Sequence, residues 1–202
     1  MKTTLTALIG LSLCLGNSFA IDATLTDDVS IFVGQRAPTF YPYASQLRID
    51  EEHMALLKFD VASVIPAGTA PTDVKKAVLK VWVSQRRDFI SGACFLTKVT
   101  SNWSEFRNDS LTGKVPTFGA TVGSTDVHRG NSFMTFDVTA LVQDWASGSP
   151  NLGVALQTRY LAGPAVVTDT PRLARPCRIW IDSKENKATA HEPTIQIVLK
   201  GN

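Results

Sequence analysis

Apolar and polar residues alternate at period two through most of the chain beyond residue 20. Leu57, Phe59 and Val61 alternate with Lys58 and Asp60. Leu79, Val81 and Val83 alternate with Lys80 and Trp82. The same rhythm recurs at Met134, Phe136 and Val138, at Ile179 and Ile181, and at Ile195, Ile197 and Leu199. Successive side chains of a strand point to opposite faces, so each run predicts a strand with one buried face. Turn-forming clusters separate the runs: Pro66-Ala67-Gly68, Ser91-Gly92, Arg129-Gly130-Asn131, Ser147-Gly148-Ser149-Pro150 and Gly163-Pro164. Roughly nine or ten short strands are predicted, packed as two antiparallel sheets. In the segment Asp137–Trp145, Val138, Leu141, Val142 and Trp145 fall at helical spacing. A helix of two turns at most is expected there, capped by Thr139 and ended by Gly148. The stretch 101–131 has weak periodicity and reads as a surface excursion between strands.

Composition narrows the function classes. The chain has 202 residues, 44% hydrophobic and 19% charged, enough for one packed domain. Its 20 basic and 18 acidic residues leave a formal charge of +2, which argues against a strongly basic nucleic-acid binder. No apolar run has the length of a membrane-spanning helix. Residues 1–20 read as a secretory signal peptide: Lys2, an apolar stretch Leu5–Leu15, and Ser18-Phe19-Ala20 before a cut at Ile21. Leu13 before Cys14 argues against lipidation. The mature protein is then a single domain, residues 21–202, expected to be secreted or extracellular, with the periplasm and cell surface as variants. Cys94 and Cys177 remain as an even pair. In an exported protein they predict one disulfide; two buried free thiols are the alternative. Asn102-Trp103-Ser104 and Asn108-Asp109-Ser110 match the N-glycosylation pattern.

Several segments, in order, resemble a known family. They are Ala23-Thr24-Leu25-Thr26-Asp27-Asp28-Val29, Leu56-Leu57-Lys58-Phe59-Asp60-Val61 with Ile65-Pro66-Ala67-Gly68, and Trp103-Ser104-Glu105. The run from Phe136 to Gly148 follows, then Asn151-Leu152-Gly153, Asp182-Ser183-Lys184-Glu185-Asn186 and Glu192-Pro193-Thr194-Ile195. Together they resemble the DNRLRE domain family, which is similar to polysaccharide-binding modules of alginate lyases and related to disaggregatase repeats. The resemblance implies an all-β jelly-roll sandwich of the exported carbohydrate-binding type. It departs at Arg36–Tyr43, at the missing second Trp after Trp103, and at the insert carrying Cys177.

Candidate chemistry is sparse. His53, His128 and His191 are expected to be solvated loop residues, and no nucleophile elbow or metal helix accompanies them. Asp50-Glu51-Glu52 reads as a solvated turn rather than paired catalytic carboxylates. Asp60 and Asp137 read as acids bonding backbone amides at strand ends. No enzymatic activity is expected. Modules of this architecture often hold a structural calcium near paired terminal strands. Asp27, Asp28, Asp182 and Glu185 are its candidate ligands here, with ordinary surface acids as the alternative. Sugar binding relies on aromatic faces against a pyranose, with Arg or Lys for acidic glycans. The candidate ligand-binding residues are Tyr41, Tyr43, Arg86, Arg87, Arg159 and Tyr160. Trp82, Trp103 and Trp145 are expected in the core, and Trp180 partly exposed. The expected partner is an extracellular polysaccharide, an acidic one in particular. A structural subunit that self-associates in a matrix, surface layer or filament is the alternative. No nucleic-acid partner is expected.

Overall fold

The computed structural model describes residues 18–33, 38–88, 91–105, 115–158 and 175–201. In chain order its strands are β1 (Phe19–Phe32), β2 (Thr39–Tyr41), β3 (Gln46–Ile49), β4 (His53–Phe59), β5 (Val74–Arg86) and β6 (Gly92–Val99). They continue as β7 (Phe118–Val127), β8 (Ser132–Asp137), β9 (Val154–Gln157), β10 (Ile179–Asp182) and β11 (Thr194–Leu199), with one α-helix, α1 (Thr139–Ala146).

All ladders between these strands are antiparallel. One sheet runs β7-β6-β9-β4-β1-β2. In the other, β5 pairs with β8 on one side and with β11 and β10 end to end on the other. There β11 leads to the first half of β1, and β10 leads to β3. Strand β1 belongs to both sheets: residues 19–24 pair with β11 and residues 25–32 with β4, across a register shift between Leu25 and Asp27. Such a bulge bends a strand and lets it change sheets. The antiparallel β-sandwich predicted from the alternation is the observed architecture.

The inward faces meet in one core. Leu57, Phe59, Leu79, Val81, Met134, Phe136, Ile179, Ile181, Ile195 and Ile197 all belong to it, and Leu141, Val142 and Trp145 of α1 close one part. A second cluster lies on the far side of β4: Val29, Ile31, Phe40, Met54, Leu56, Val99, Trp103 and Ala155. Strand β4 is therefore buried on both faces, as its adjacent Leu56 and Leu57 require.

Two expectations need correction. The excursion predicted over 101–131 contains β7, a ten-residue strand at a sheet edge. Its sequence, Phe-Gly-Ala-Thr-Val-Gly-Ser-Thr-Asp-Val, gave no clear alternation because neither face is deeply buried. Thr139 does not cap α1 as proposed. The N-cap is Val138, while Asp137 Oδ1 accepts the Thr139 amide at 2.9 Å and its hydroxyl at 2.6 Å. The Thr139 hydroxyl in turn accepts the Ala77 amide, tying the helix start to β5. At the other end Gly148 takes φ 101°, as predicted for the residue that stops the helix. Of the expected leader, residues 1–17 lie outside the described residues. Phe19 and Ala20 extend β1 and pair with Leu199 and Val198, so a cut before Ile21 removes those pairs and leaves the ladder inward from Ile21 and Ile197.

Gly153 holds the entry to β9. Its φ is 82°, and a Cβ there would stand 2.3 Å from the Leu57 carbonyl oxygen in the central strand. Gly153→Ala is expected to cost more than about 1 kcal/mol, because both the left-handed backbone and the close approach exclude a side chain. Urea unfolding measures it; a variant as stable as the parent contradicts this reading of the turn.

Candidate glycan-binding surfaces

The tyrosine turn is built by alternation. Phe40 and Pro42 are buried, while Tyr41 and Tyr43 point outward at 43% and 73% exposure. Anchoring every second residue holds the two phenols on the surface. Arg86 and Arg87 end β5. Arg86 Nη1 donates to the carbonyls of Val127 and His128, at 3.2 Å to the former. The Arg87 amide donates to the Arg178 carbonyl, and its side chain is exposed. Arg86 pairs with Ile179, which pairs with Ile49, so both arginines lie at the Ile49 end of β3. The tyrosines precede its Gln46 end. The structure does not bring the two groups together. Arg159 and Tyr160 lie outside the described residues.

The predicted calcium acids occupy several places. Asp28, 1% exposed in β1, accepts the Lys184 amide at 2.9 Å through Oδ2 and lies 3.5 Å from Lys184 Nζ through Oδ1. Glu105, also buried, accepts the Asp28 amide at 2.9 Å and a hydrogen bond from Lys184 Nζ. Glu185 lies 3.6 Å from the same ammonium. Asp27 accepts a hydrogen bond from Thr26, and Asp182 accepts one from the Thr189 hydroxyl at 2.7 Å. Among the described residues no group of three or more His, Cys, Asp or Glu is arranged to hold a metal ion. Beside Asp28, Glu105 and Glu185 the counter-charge is the lysine ammonium, so this donor set does not fit calcium.

The ion cluster joins three of the ordered motifs: Asp28 of the opening strand, Glu105 of Trp103-Ser104-Glu105, and Lys184-Glu185 near the end. Burial is the largest influence on the Asp28 carboxyl and raises its pKa from 3.8 to about 6, against the lowering by Lys184. Burial also works against the Lys184 charge, but its hydrogen bond to Glu105 and the acids around it prevail and hold its pKa above the ordinary value. Asp28 is thus harder to ionise folded than unfolded. Its contribution to stability is most favourable below about pH 4, declines as pH rises toward 6, and stays unfavourable above. Asp28→Asn is expected to gain about 2–3 kcal/mol relative to the parent between pH 4 and 7. Urea unfolding of both proteins across that range measures the difference; a constant difference contradicts it.

Two histidines and one tryptophan, His53, His191 and Trp82, are placed differently from expectation. His53, expected in solvent, is buried in β4 with Nδ1 2.8 Å from Asp50 Oδ1 and its ring 5.1 Å from that of Phe32. His128 is exposed as predicted. His191 is half-buried and stacked on Trp82, with centroids 4.0 Å apart and planes at 22°. Trp103 and Trp145 are buried as predicted. Trp82 is not in the core. It lies half-buried on the outward face of β5, where its own alternation with Leu79, Val81 and Val83 had placed it. Asp60 and Asp137 accept the backbone amides of Ser63 and Thr139, as expected.

On that outward face Trp82 stands opposite Phe133 of β8. Phe133 is 52% exposed and meets Trp82 edge-on at 4.9 Å and His191 edge-on at 5.8 Å. Farther across, Trp180 of β10 pairs with Arg48 of β3, whose guanidinium lies 5.7 Å from the ring centre. Sequence reading missed Phe133 and Trp82 as surface groups, although each sits at a polar parity position of a recognised strand.

The sequence matches carbohydrate-binding module family 96 across residues 21–197. The chain belongs to that family. It is also 33% identical over 90 residues to the tRNA nuclease WapA of Bacillus subtilis (strain 168), and 32% identical over 90 residues to the tRNA3(Ser)-specific nuclease WapA of Bacillus spizizenii. Each of these matches takes in 42% of this chain and 4% of the nuclease. Membership of family 96 agrees with the carbohydrate-binding character that the ordered motifs imply. Among the described residues no helix is long and apolar enough to cross a membrane.

Proposed function

We propose that this protein is an exported, non-catalytic polysaccharide-binding protein that favours acidic glycans. The observation that carries this reading is the match to a carbohydrate-binding family over nearly all of the described fold. Three further features support it. Aromatic side chains stand on the surface, exposed at Phe133 and half-buried at Trp82 and Trp180. Arginines end β5 and flank Trp180, where they suit carboxylates. The buried disulfide between Cys94 and Cys177 suits an oxidising compartment outside the cell. The likeness of the ordered motifs to DNRLRE domains is part of the same reading. The relatives' nuclease activity is not, since the shared segment is 4% of those proteins and the net charge of +2 offers little to a phosphate backbone.

Native gel electrophoresis through alginate, polygalacturonate, hyaluronan, laminarin and xylan tests the proposal. Retardation by at least one acidic polysaccharide, weakened by added salt, is expected. A folded protein that migrates unretarded through every one of them refutes it.

A further inference from the structure

We propose that the polysaccharide lies across the outer face of the β5 sheet, along a row formed by Phe133, the Trp82–His191 pair, Trp180 and Arg48. This inference rests on the polysaccharide-binding reading above and adds the surface that does the binding.

Register and parity put the row on one face. Phe133 is opposite Trp82, and Trp180 is opposite Arg48 on one side and Gln85 on the other. Their strand neighbours Val81, Val83, Met134, Ile179, Ile181, Leu47 and Ile49 are all buried, so the row faces away from the core. A solvent-facing side of an antiparallel sheet ordinarily carries polar residues. Here large aromatic rings occupy it.

Their arrangement separates the row from apolar residues scattered singly over a surface. Phe133 is held edge-on by Trp82 and by His191, while half of its area stays open. A ring already fixed loses little freedom when a ligand stacks on it. Phe133 and Trp180 are two strand spacings apart across the sheet, roughly 10 Å, and are offset along the strands as Trp82 is from Gln85, roughly another 10 Å, with Arg48 one spacing farther across. That span suits several consecutive pyranose rings of a chain running obliquely across the strands. Polar groups stand along it. Arg48 Nε donates to Asp50, while its two Nη groups have no hydrogen-bond partner among the described residues. Lys80 lies beside Trp82 on the same face, bonded to Gln196 Oε1 at 3.1 Å and without an ion-pair partner among the described residues. The Gln46 amide donates to the Ser84 hydroxyl at 2.9 Å. Rings for the apolar sugar faces and these donors for hydroxyl or carboxylate oxygens are together the groups a glycan chain needs.

The test compares Phe133→Ala, Trp180→Ala and the double variant Tyr41→Ala/Tyr43→Ala with the parent, using the polysaccharides named above as probes. Phe133→Ala and Trp180→Ala are each expected to weaken binding at least about tenfold. Phe133→Trp, which keeps a ring, is expected to retain it. The tyrosine variant is expected to stay within about threefold of the parent, because binding energy concentrates in a few residues. Unfolding midpoints close to the parent's show that Phe133→Ala is folded. If both single variants bind as the parent does and the tyrosine variant does not, this inference is overturned while the polysaccharide-binding reading stands. If the parent itself binds none of the probes, both fall.

Discussion

Lys184→Ala is expected to destabilise the protein by about 3–5 kcal/mol, the loss that follows when one partner of a buried ion cluster is removed. Asp28 and Glu105 are nearly inaccessible to water, and Lys184 is the cation that the structure places against both. Without it two carboxylates face each other in a poorly solvated site. Asp28 then becomes harder still to ionise, so the loss grows with pH and is larger at pH 7 than at pH 5. Lys184→Met keeps the aliphatic stem but not the charge and is expected to lose almost as much. Uncharging all three positions, as Asp28→Asn/Glu105→Gln/Lys184→Met, is expected to restore part of the loss, because the desolvation of charges disappears with the charges. Urea unfolding at two pH values decides the matter. A Lys184→Ala variant within 1 kcal/mol of the parent at pH 7 contradicts the account of this cluster.

Breaking the disulfide is expected to cost about 2–5 kcal/mol. Cys94 of β6 and Cys177 are 83 residues apart in sequence and both buried. The bond does more than close a loop. It holds the segment before β10 against β6, where the Ala93 amide donates to the Arg175 carbonyl and the Cys177 amide donates to the Ala93 carbonyl. Gly92 allows this approach, since a Cβ at that position would overlap the Pro176 carbonyl. The double variant Cys94→Ala/Cys177→Ala is therefore expected to unfold at lower urea, and reductant to shift the parent in the same direction while leaving the variant unmoved. A parent indifferent to reductant, with free thiols counted afterwards, contradicts it.

The sandwich was legible because strand parity is a local property with a global consequence. Leu79, Val81 and Val83 could face one core only if Lys80 and Trp82 faced away, and they do. Strand β7 was illegible for the complementary reason: a half-exposed edge with two glycines needs no alternation. The start of α1 shows how local chemistry can mislead. Thr139 has the right residue type for a cap, but Asp137 two residues earlier accepts both its amide and its hydroxyl, and the Thr139 oxygen accepts the Ala77 amide of β5. At the site, exposure of Tyr41 and Tyr43 was readable from their turn, whereas the distance between that turn and Arg86 is set by the pairing of β3 with β10. The stacking of His191 on Trp82 likewise depends on where the connection from β10 to β11 crosses the sheet, which no short motif encodes. Asp28 and Lys184 were separated by 156 positions and met only through the fold. Asp28, one of the acids expected to ligate calcium, stands against the Lys184 ammonium, which supplies positive charge there.

The most direct measurement is a titration of the folded protein with the soluble acidic and neutral polysaccharides, followed by tryptophan fluorescence. Trp180 and Trp82 lie on the proposed binding face, whereas Trp103 and Trp145 are buried. A saturable fluorescence change is expected with at least one acidic polysaccharide, lost in Trp180→Ala. Flat titrations with every polysaccharide, from protein whose cooperative unfolding shows it to be native, contradict it.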